Sequence, residues 1–274
     1  MWMCITADVG EKRNRGRPSG RPFACGSARG ARQGGMRPTP RLWLIDSART
    51  LALLGMAAFH LVFDLQMFGF VPPGTAVTGF FYYHARIVAG SFLFLAGMGL
   101  WLAHGQGIRW PAFWRRWGMI VLAAALVSLA TRIAMPDYWI FFGILHSIAA
   151  ASLLGLMFLR LPGMVNLALG LVVIWAAWPL PALLEWQAPA LRFLGLTTLP
   201  TYTMDFEPLV PWFGPFLAGM GIARLITPAL PRLAQIAPAR LGWLAWPGRH
   251  SLAVYLIHQP VLISLVWLAS QFLR

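Results

Sequence analysis

The chain consists largely of apolar stretches of about 20 residues, joined by short connections that carry most of the charge. A stretch of that length is what an α-helix needs to cross the hydrocarbon core of a bilayer. Hydrophobic residues make up 58% of the chain and charged residues only 11%, whereas soluble domains carry about a quarter charged residues. We therefore predict an all-α, polytopic membrane helix bundle with about seven transmembrane helices. The predicted spans are about 47–69, 87–104, 117–134, 139–159, 164–180, 211–227 and 250–271.

The distribution of arginine predicts how this bundle is oriented. Residues 1–40 are rich in Arg, Gly, Pro and Ser and are predicted to form a disordered basic tail before a transmembrane domain over 41–274. Met36 offers an alternative start for the folded part. Most of the remaining arginines fall in connections on the side of the tail, which predicts a cytoplasmic N-terminus and a location in the cell inner membrane. The net charge of +14 thus reflects topology, and no nucleic-acid partner is expected.

The first span carries four ionisable residues on one stripe. Arg49 and His60 differ by only about 20° around a helix axis, and Asp46 and Asp64 both lie about 40° further on. Charge is costly in hydrocarbon, so ionisable side chains at this depth indicate a function. Asp64 is expected to accept a hydrogen bond from His60 and make the other ring nitrogen a better base. Arg49 suits an anionic ligand, and an ion pair with Asp46 is the structural alternative.

Other polar side chains lie within the later spans. His146 falls in the fourth span, and Tyr255 and His258 share a face of the last one. Each alone is typical of a polar contact between helices. Together with His60, they predict a polar cavity inside the bundle, in which they would contact substrate.

Charged residues also mark the two main connections on the predicted outer side. His84 and Arg86 are placed at the outer mouth before the second span, and Asp205 and Glu207 are expected to be solvated loop charges. An eighth, re-entrant helix within 181–210 is an open alternative. The sequence FLAGMG occurs at 94–99 and again at 216–221. Close helix packing by small residues explains this repeat better than a shared cavity does.

Motifs for several other chemistries are missing from the sequence. It contains no P-loop, no GxSxG, no HExxH and no pair of cysteines spaced as metal ligands. We therefore expect neither a serine hydrolase nor a metalloprotease, and no metal.

Arg-x10-His on the first span resembles the hallmark of integral-membrane acyltransferases that move acyl groups from cytoplasmic acyl-CoA to extracytoplasmic glycans. More closely, the chain resembles the bacterial branch of the heparan-alpha-glucosaminide N-acetyltransferase-like family. Five segments in order carry the resemblance: IDSARTLALLGMAAFH (45–60), SFLFLAGMGL (91–100), FFGILHSIA (141–149), DFEPLVPWFGPFLAGMGIAR (205–224) and GRHSLAVYLIHQPVL (248–262).

The resemblance implies an activity and roles for particular residues. It implies acetyl-CoA at the inner side, a sugar amine or hydroxyl as acceptor at the outer side, and a catalytic histidine between them. His60 and Arg49 match the motif by position. The resemblance to lysosomal relatives also implies a catalytic histidine in the loop after the first helix, so His84 is the competing catalytic candidate. Arg49, with Arg115 and Arg116, would hold the phosphates of CoA, and Asp46 and Arg86 would assist substrate binding.

Two other classes of function are compatible with the same residues. A transporter or flippase for an anionic lipid or sugar would use the polar cavity without chemistry. A haem-binding electron-transfer protein would use His60, His146 and His258 as axial ligands. Acetylation of a glycan by labelled acetyl-CoA would distinguish the enzyme from a transporter. The absence of haem absorption would exclude the haem-binding protein.

Overall fold

A computed structural model describes residues 43–184, 187–233, 235 and 242–273. The tail predicted over residues 1–40 lies outside this part of the chain. The α-helices in it are α1 Trp43–Met67, α2 Gly79–His104, α3 Trp110–Ala134, α4 Ile144–Gly155, α5 Gly163–Ala176, α6 Pro179–Leu184, α7 Leu209–Ile226, α8 Leu230–Leu233, α9 Trp246–Arg249 and α10 Ser251–Phe272. Single 3-10 turns connect several of them.

The predicted polytopic helical bundle is confirmed. Each of the seven predicted spans contains a helix, and five helices in the described residues are long and apolar enough to cross a bilayer: Trp43–Met67, Gly79–His104, Trp110–Ala134, Leu209–Leu233 and Ser251–Phe272. The helices at Ile144–Phe158 and Gly163–Ala176 are apolar but shorter. The count of seven spans therefore stays a prediction.

The FLAGMG repeat forms a close crossing between α2 and α7. A side-chain carbon on Gly97 would collide with the carbonyl oxygen of Phe216, and one on Gly219 would collide with that of Phe94. Each repeat therefore places its fourth residue on the first residue of the other. Small residues allow this close backbone approach, and Leu93 and Phe216 beside it are fully buried. This confirms that the repeat serves packing.

Glycines also bring α5 against α7. Gly163 lies against the carbonyl oxygen of Gly221, and Gly170 against that of Gly214, so the two helices run antiparallel. Neither helix has room for a side chain at these contacts. The short α5 is thereby fixed on the side of α7 away from α2.

The start of α1 is fixed by the segment before α10. The hydroxyl of Thr50 lies 2.7 Å from the carbonyl oxygen of Leu244 and accepts a hydrogen bond from the backbone N–H of Gly248 at 3.0 Å. A side chain on Gly248 would collide with the carbonyl oxygen of Asp46. As a result α1 and α10 run parallel, side by side, from the same end of the bundle. This end, which also holds the end of α2 and the start of α3, is called the basic end below.

The long connection before α7 folds back on the segment before α4. Phe206 pairs with Phe142 in a single parallel β-bridge, and the N–H of Glu207 donates to the carbonyl of Phe142 at 3.1 Å. The described part of 181–210 otherwise contains the end of α6 and a 3-10 segment at Pro189–Leu194, which is not the re-entrant helix considered as an alternative. This pairing carries Asp205 and Glu207 towards the bundle.

Candidate active site

Three arginines and one aspartate meet at the basic end. Asp46 lies in the first turn of α1, where the helix dipole favours a carboxylate. It forms an ion pair with Arg49, one turn later, at 3.1 Å and a second with Arg249 at 3.4 Å. The predicted Asp46–Arg49 ion pair is therefore present. Asp46 is occupied by arginines and holds Arg49 in place, and its role in binding substrate stays a prediction.

Arg49 and Arg116 lie side by side over Gly99, near the end of α2. A side-chain carbon on Gly99 would be 3.2 Å from a guanidinium nitrogen of Arg49 and 3.4 Å from one of Arg116. Within the described residues Arg116 forms no ion pair with a carboxylate. Two adjacent guanidinium groups with so little negative charge favour an anionic ligand. We call Arg49 and Arg116 the arginine pair; Arg115, predicted to act with them, is exposed.

His60 and His258 form a second pair, between α1 and α10, with ring centroids 5.0 Å apart. Nδ1 of His258 lies 2.6 Å from the carbonyl oxygen of Tyr255. A carbonyl only accepts, so Nδ1 carries the proton and Nε2 keeps a free lone pair. That Nε2 and the Nδ1 of His60 are buried without a hydrogen-bond partner. Such exceptions among buried polar atoms are rare and mark candidates for chemistry. We call these residues the histidine pair.

The expected hydrogen bond between Asp64 and His60 is not formed. Asp64 is fully buried, and its Oδ1 accepts a hydrogen bond from the amide of Gln259 at 2.8 Å. Its Oδ2 and the Nδ1 of His60 both lack a partner. The helical spacing correctly placed the two residues on neighbouring turns, but α10 supplies a better-placed donor. Asp64 therefore joins α1 to α10 here instead of orienting the imidazole.

His84 belongs to α2 and not to the loop before it, because α2 begins at Gly79, earlier than predicted. Its Nε2 lies 2.8 Å from the carbonyl oxygen of Gly55 on α1 and donates to it. The ring also stacks on Phe80 at 5.7 Å. His84 thus links α1 to α2 and keeps only Nδ1 for any chemistry.

Two carboxyl groups from the long connection turn into the bundle. Asp205 accepts a hydrogen bond from the N–H of Ile144 at 3.0 Å, at the start of α4, and Glu207 has a buried carboxyl oxygen without a partner. Burial raises the pKa of Asp205 to about 6. Burial and the neighbouring Asp205 raise the pKa of Glu207 well above its usual value. The expectation of solvated loop charges is wrong for both.

The carboxyl groups connect to the rest of the site through two side chains. Arg86, whose guanidinium lies 3.6 Å from the ring centre of Tyr82, is close enough to Glu207 to oppose the rise in its pKa. Tyr255 lies within electrostatic range of both carboxyl groups, and its ring is 5.7 Å from that of His258. The predicted residues Arg86, Tyr255 and His258 are therefore brought together.

His146 does not join this group. Its Nδ1 accepts a hydrogen bond from the N–H of Gly143 at 3.3 Å, and its Nε2 lies 3.1 Å from the hydroxyl of Ser128 on α3. That hydroxyl donates to the carbonyl of Ile140 at 2.6 Å, so Nε2 must carry the proton. Both ring nitrogens are occupied, so His146 is a contact between α3 and α4, and its role in binding substrate stays a prediction.

Sequence reasoning missed the parts of the site that depend on distant contacts. Gln259 could have been noticed as an amide inside an apolar span, directly after His258. Trp212, which hydrogen-bonds to Glu207, and the inward position of Asp205 had no local signal. They depend on the pairing of 203–207 with 138–142.

The haem alternative does not fit the histidine geometry. Each bond from a metal to an imidazole nitrogen takes about 2 Å, to which the radius of both rings must be added. Ring centroids 5.0 Å apart leave too little room for an iron porphyrin between His60 and His258. His146, the third predicted ligand, is occupied elsewhere.

The fold and this site define a multi-pass membrane protein with an arginine-rich end and, further along α1, a half-buried pair of imidazoles. The sequence profile of the family "Heparan-alpha-glucosaminide N-acetyltransferase, catalytic" matches residues 41–260. The chain therefore belongs to this family of membrane acetyltransferases. A search of curated proteins and a search of solved structures each found no match.

Proposed function

We propose that this protein transfers an acetyl group from acetyl-CoA to a sugar amine or hydroxyl on the opposite side of the cell inner membrane. The basic end would face the cytoplasm, as the arginine distribution predicts. One observation carries the proposal: α1 contributes one residue to the arginine pair and one to the histidine pair. Arg49 of the arginine pair and His60 of the histidine pair are eleven residues apart on this helix, which corresponds to about 16 Å along its axis.

The arginine pair is the proposed site for the phosphates of CoA. Arg49 and Arg116 lie together over Gly99, and Asp46 neutralises only part of their charge. Guanidinium groups bind phosphate through paired hydrogen bonds. From this end the extended arm of CoA would carry the thioester towards the middle of the bundle. Exposed Arg115 would add a weaker attraction at the entrance.

The histidine pair is the proposed reaction centre. The acceptor nitrogen or oxygen attacks the thioester carbonyl, the carbon–sulfur bond breaks, and CoA leaves as the thiol after taking up a proton. His60 takes the proton that the acceptor loses, and the free Nε2 of His258 lies beside it to receive that proton in turn. A positioned base contributes about 10²–10⁴-fold to the rate, so holding both substrates in place must supply the rest.

The carboxyl groups are the proposed acceptor side of the site. Asp205, Glu207 and the hydroxyl of Tyr255 offer hydrogen bonds to a sugar, and Arg86 adds a charged donor next to Glu207. Their grouping next to Tyr255, one turn from His258 on α10, supports an acceptor that binds beside the histidine pair.

The proposal is tested with purified protein, radiolabelled acetyl-CoA and an extract of cell-envelope glycans. We expect the wild type to label glycan, His60→Ala to lose the activity while remaining folded, and His84→Ala to retain most of it. If His60→Ala acetylates normally, His60 is not the base and His84 takes its place. If the wild type moves glycan across vesicles but never labels it, the protein is a transporter and the proposal is wrong.

A further inference from the structure

A cavity with arginines in its lining opens at the basic end, between the ends of α2, α4 and α7. Its volume is about 530 Å³, and its lining includes Trp101, Gln106, Arg160 and Arg224. Trp101 is two residues after Gly99, a rotation of about 200° around α2. The cavity therefore lies on the other face of α2 from the arginine pair and forms a separate site.

The indole of Trp101 is the first sign that this cavity takes a ligand. The residue is only 7% exposed, and its Nε1 is buried without a hydrogen-bond partner. An indole nitrogen can donate but cannot accept. A buried donor is costly when it stays unpaired, and Trp101 lines the cavity, so an acceptor bound beside the indole would satisfy it.

Two arginines make the cavity positive. Nη1 of Arg224 donates to the backbone carbonyls of Arg160 and Leu161, at 3.0 and 2.6 Å, which fixes its guanidinium at the wall. Carbonyls are neutral, so its charge is not cancelled. The ion pairs found among the described residues both belong to Asp46, so neither Arg160 nor Arg224 has a carboxylate partner there. The cavity thus combines the fixed guanidinium of Arg224, the exposed guanidinium of Arg160 and the buried N–H of Trp101.

The position of the cavity indicates which kind of molecule would supply an anionic ligand. It opens where α2, α4 and α7 end, and apolar groups of Leu159 and Pro228 complete its lining. Tryptophan and arginine at this level are typical of the membrane–water interface, and basic pockets between transmembrane helices bind lipid headgroups.

We propose that this cavity binds the phosphate headgroup of an anionic phospholipid from the leaflet at the basic end. The phosphate oxygens accept from the indole of Trp101 and pair with Arg160 and Arg224, while the glycerol and the first acyl carbons lie on the apolar lining. The inference does not depend on the proposed acetyl transfer, since it uses none of the same residues.

The test uses the full-length protein, purified in a neutral detergent, and native mass spectrometry with titrated phosphatidylglycerol. The variants are Arg160→Gln, which changes an exposed side chain, and Trp101→Phe, which removes only the indole N–H and part of the ring. Arg132→Gln, on α3 outside the cavity, is the matched control. We expect one tight lipid site in the wild type, at least tenfold weaker binding in Arg160→Gln, a smaller loss in Trp101→Phe and no change in the control.

Parallel titrations separate lipid from soluble phosphate. Phosphatidylcholine, inorganic phosphate and coenzyme A are each added to the wild type and to Arg160→Gln, and thermal unfolding confirms that every variant is folded. Equal phosphatidylglycerol binding by all variants would overturn the proposal. Tight binding of inorganic phosphate or coenzyme A that Arg160→Gln abolishes would also overturn it, since the occupant would then be soluble.

Discussion

The α2–α7 and α1–α10 helix pairs are built in opposite ways. Where α2 crosses α7, glycines bring the two backbones into contact, and large apolar side chains around them are fully buried. In the most apolar part of α2, 50% of the residues are buried, against 6% in α10. Between α1 and α10, in contrast, four buried polar atoms lack partners: Nδ1 of His60, Oδ2 of Asp64, Nε2 of His258 and Oε1 of Gln259.

This difference indicates that the α2–α7 pair stabilises the bundle, whereas the α1–α10 pair holds the groups that react. A close-packed apolar crossing stabilises one arrangement of helices and offers nothing to a substrate. A polar contact with unpaired atoms contributes less to stability, but it leaves imidazole and carboxyl groups available to react. Substitutions in the two helix pairs should therefore affect different measurements.

The largest expected effect is on catalysis, from His258→Ala. Loss of the free Nε2 beside His60 should lower acetyl transfer by about 10²–10⁴-fold without loss of folded protein. The control is His250→Ala, an exposed histidine just before α10, which should leave the rate unchanged. Full activity in His258→Ala would show that the contact between His60 and His258 takes no part in the reaction.

Gly97→Ala tests the scaffold side of the comparison. The added carbon overlaps the carbonyl oxygen of Phe216, so we expect the free energy of unfolding to fall by about 3 kcal/mol or more. Gly118→Ala on α3 is the matched control, because no atom outside its own helix lies near the added carbon. It should gain about 0.5–1 kcal/mol. Similar unfolding temperatures for both variants would contradict the tight crossing.

Asp205→Asn tests the buried carboxyl group through pH. The pKa of Asp205 is about 6 in the folded protein and 3.8 ordinarily, so the folded state binds more protons between these values. Stability should therefore fall as pH rises from about 4 to 6. Asparagine still accepts from Ile144 but does not titrate, so the variant should lose part of this slope.

The same variant should be more stable than wild type at pH 7, by at most about 3 kcal/mol. Thermal unfolding at pH 4, 5, 6 and 7 measures both effects. Asp137→Asn, at an exposed position, should keep the wild-type curve. A slope unchanged in Asp205→Asn would place the pH dependence elsewhere.

Arg116→Gln is expected to weaken acetyl-CoA binding about 10–100-fold, the range for losing a charged hydrogen bond. The rate at saturating acetyl-CoA should change little. The neighbouring Arg115→Gln should have a smaller effect, because Arg115 is exposed. Equal effects of the two would show that the attraction is general and not local to Gly99. Initial rates over a range of acetyl-CoA concentrations distinguish these cases.

Asp64→Asn should have the smallest effect, less than about threefold on the rate. Its amide oxygen can still accept from Gln259, and no bond to His60 is lost. A loss as large as that of His60→Ala would show that Asp64 contacts the imidazole during the reaction. Initial rates and unfolding temperatures for the single variants and for Gln259→Ala separate the two roles.

Much of the fold could be predicted because apolar length and small residues act locally. The positions of the helices along the chain, the packing role of FLAGMG and the Asp46–Arg49 pair follow from helix length and from the three- and four-residue spacing of helix neighbours. The start of α2 was placed too late because its first two turns, GFFYYHAR, contain polar residues that resemble a loop.

The rest depended on contacts between distant segments. Helical spacing placed Asp64 beside His60 but could not reveal that Gln259, 195 residues later, is its partner. Nor could it place Asp205 at the start of α4. In both cases the hydrogen-bond partner comes from a helix that is distant in the sequence. Helical spacing describes only neighbours within one helix, so it cannot predict such a contact.

The most direct test of the account is acetyl transfer across a sealed membrane. Protein is reconstituted in vesicles that enclose a glycan acceptor, labelled acetyl-CoA is added outside, and the enclosed glycan is analysed by mass spectrometry. We predict acetylated glycan inside wild-type vesicles and none with His60→Ala or His258→Ala. Acetylation only of acceptor added on the same side as acetyl-CoA would contradict transfer between the two faces.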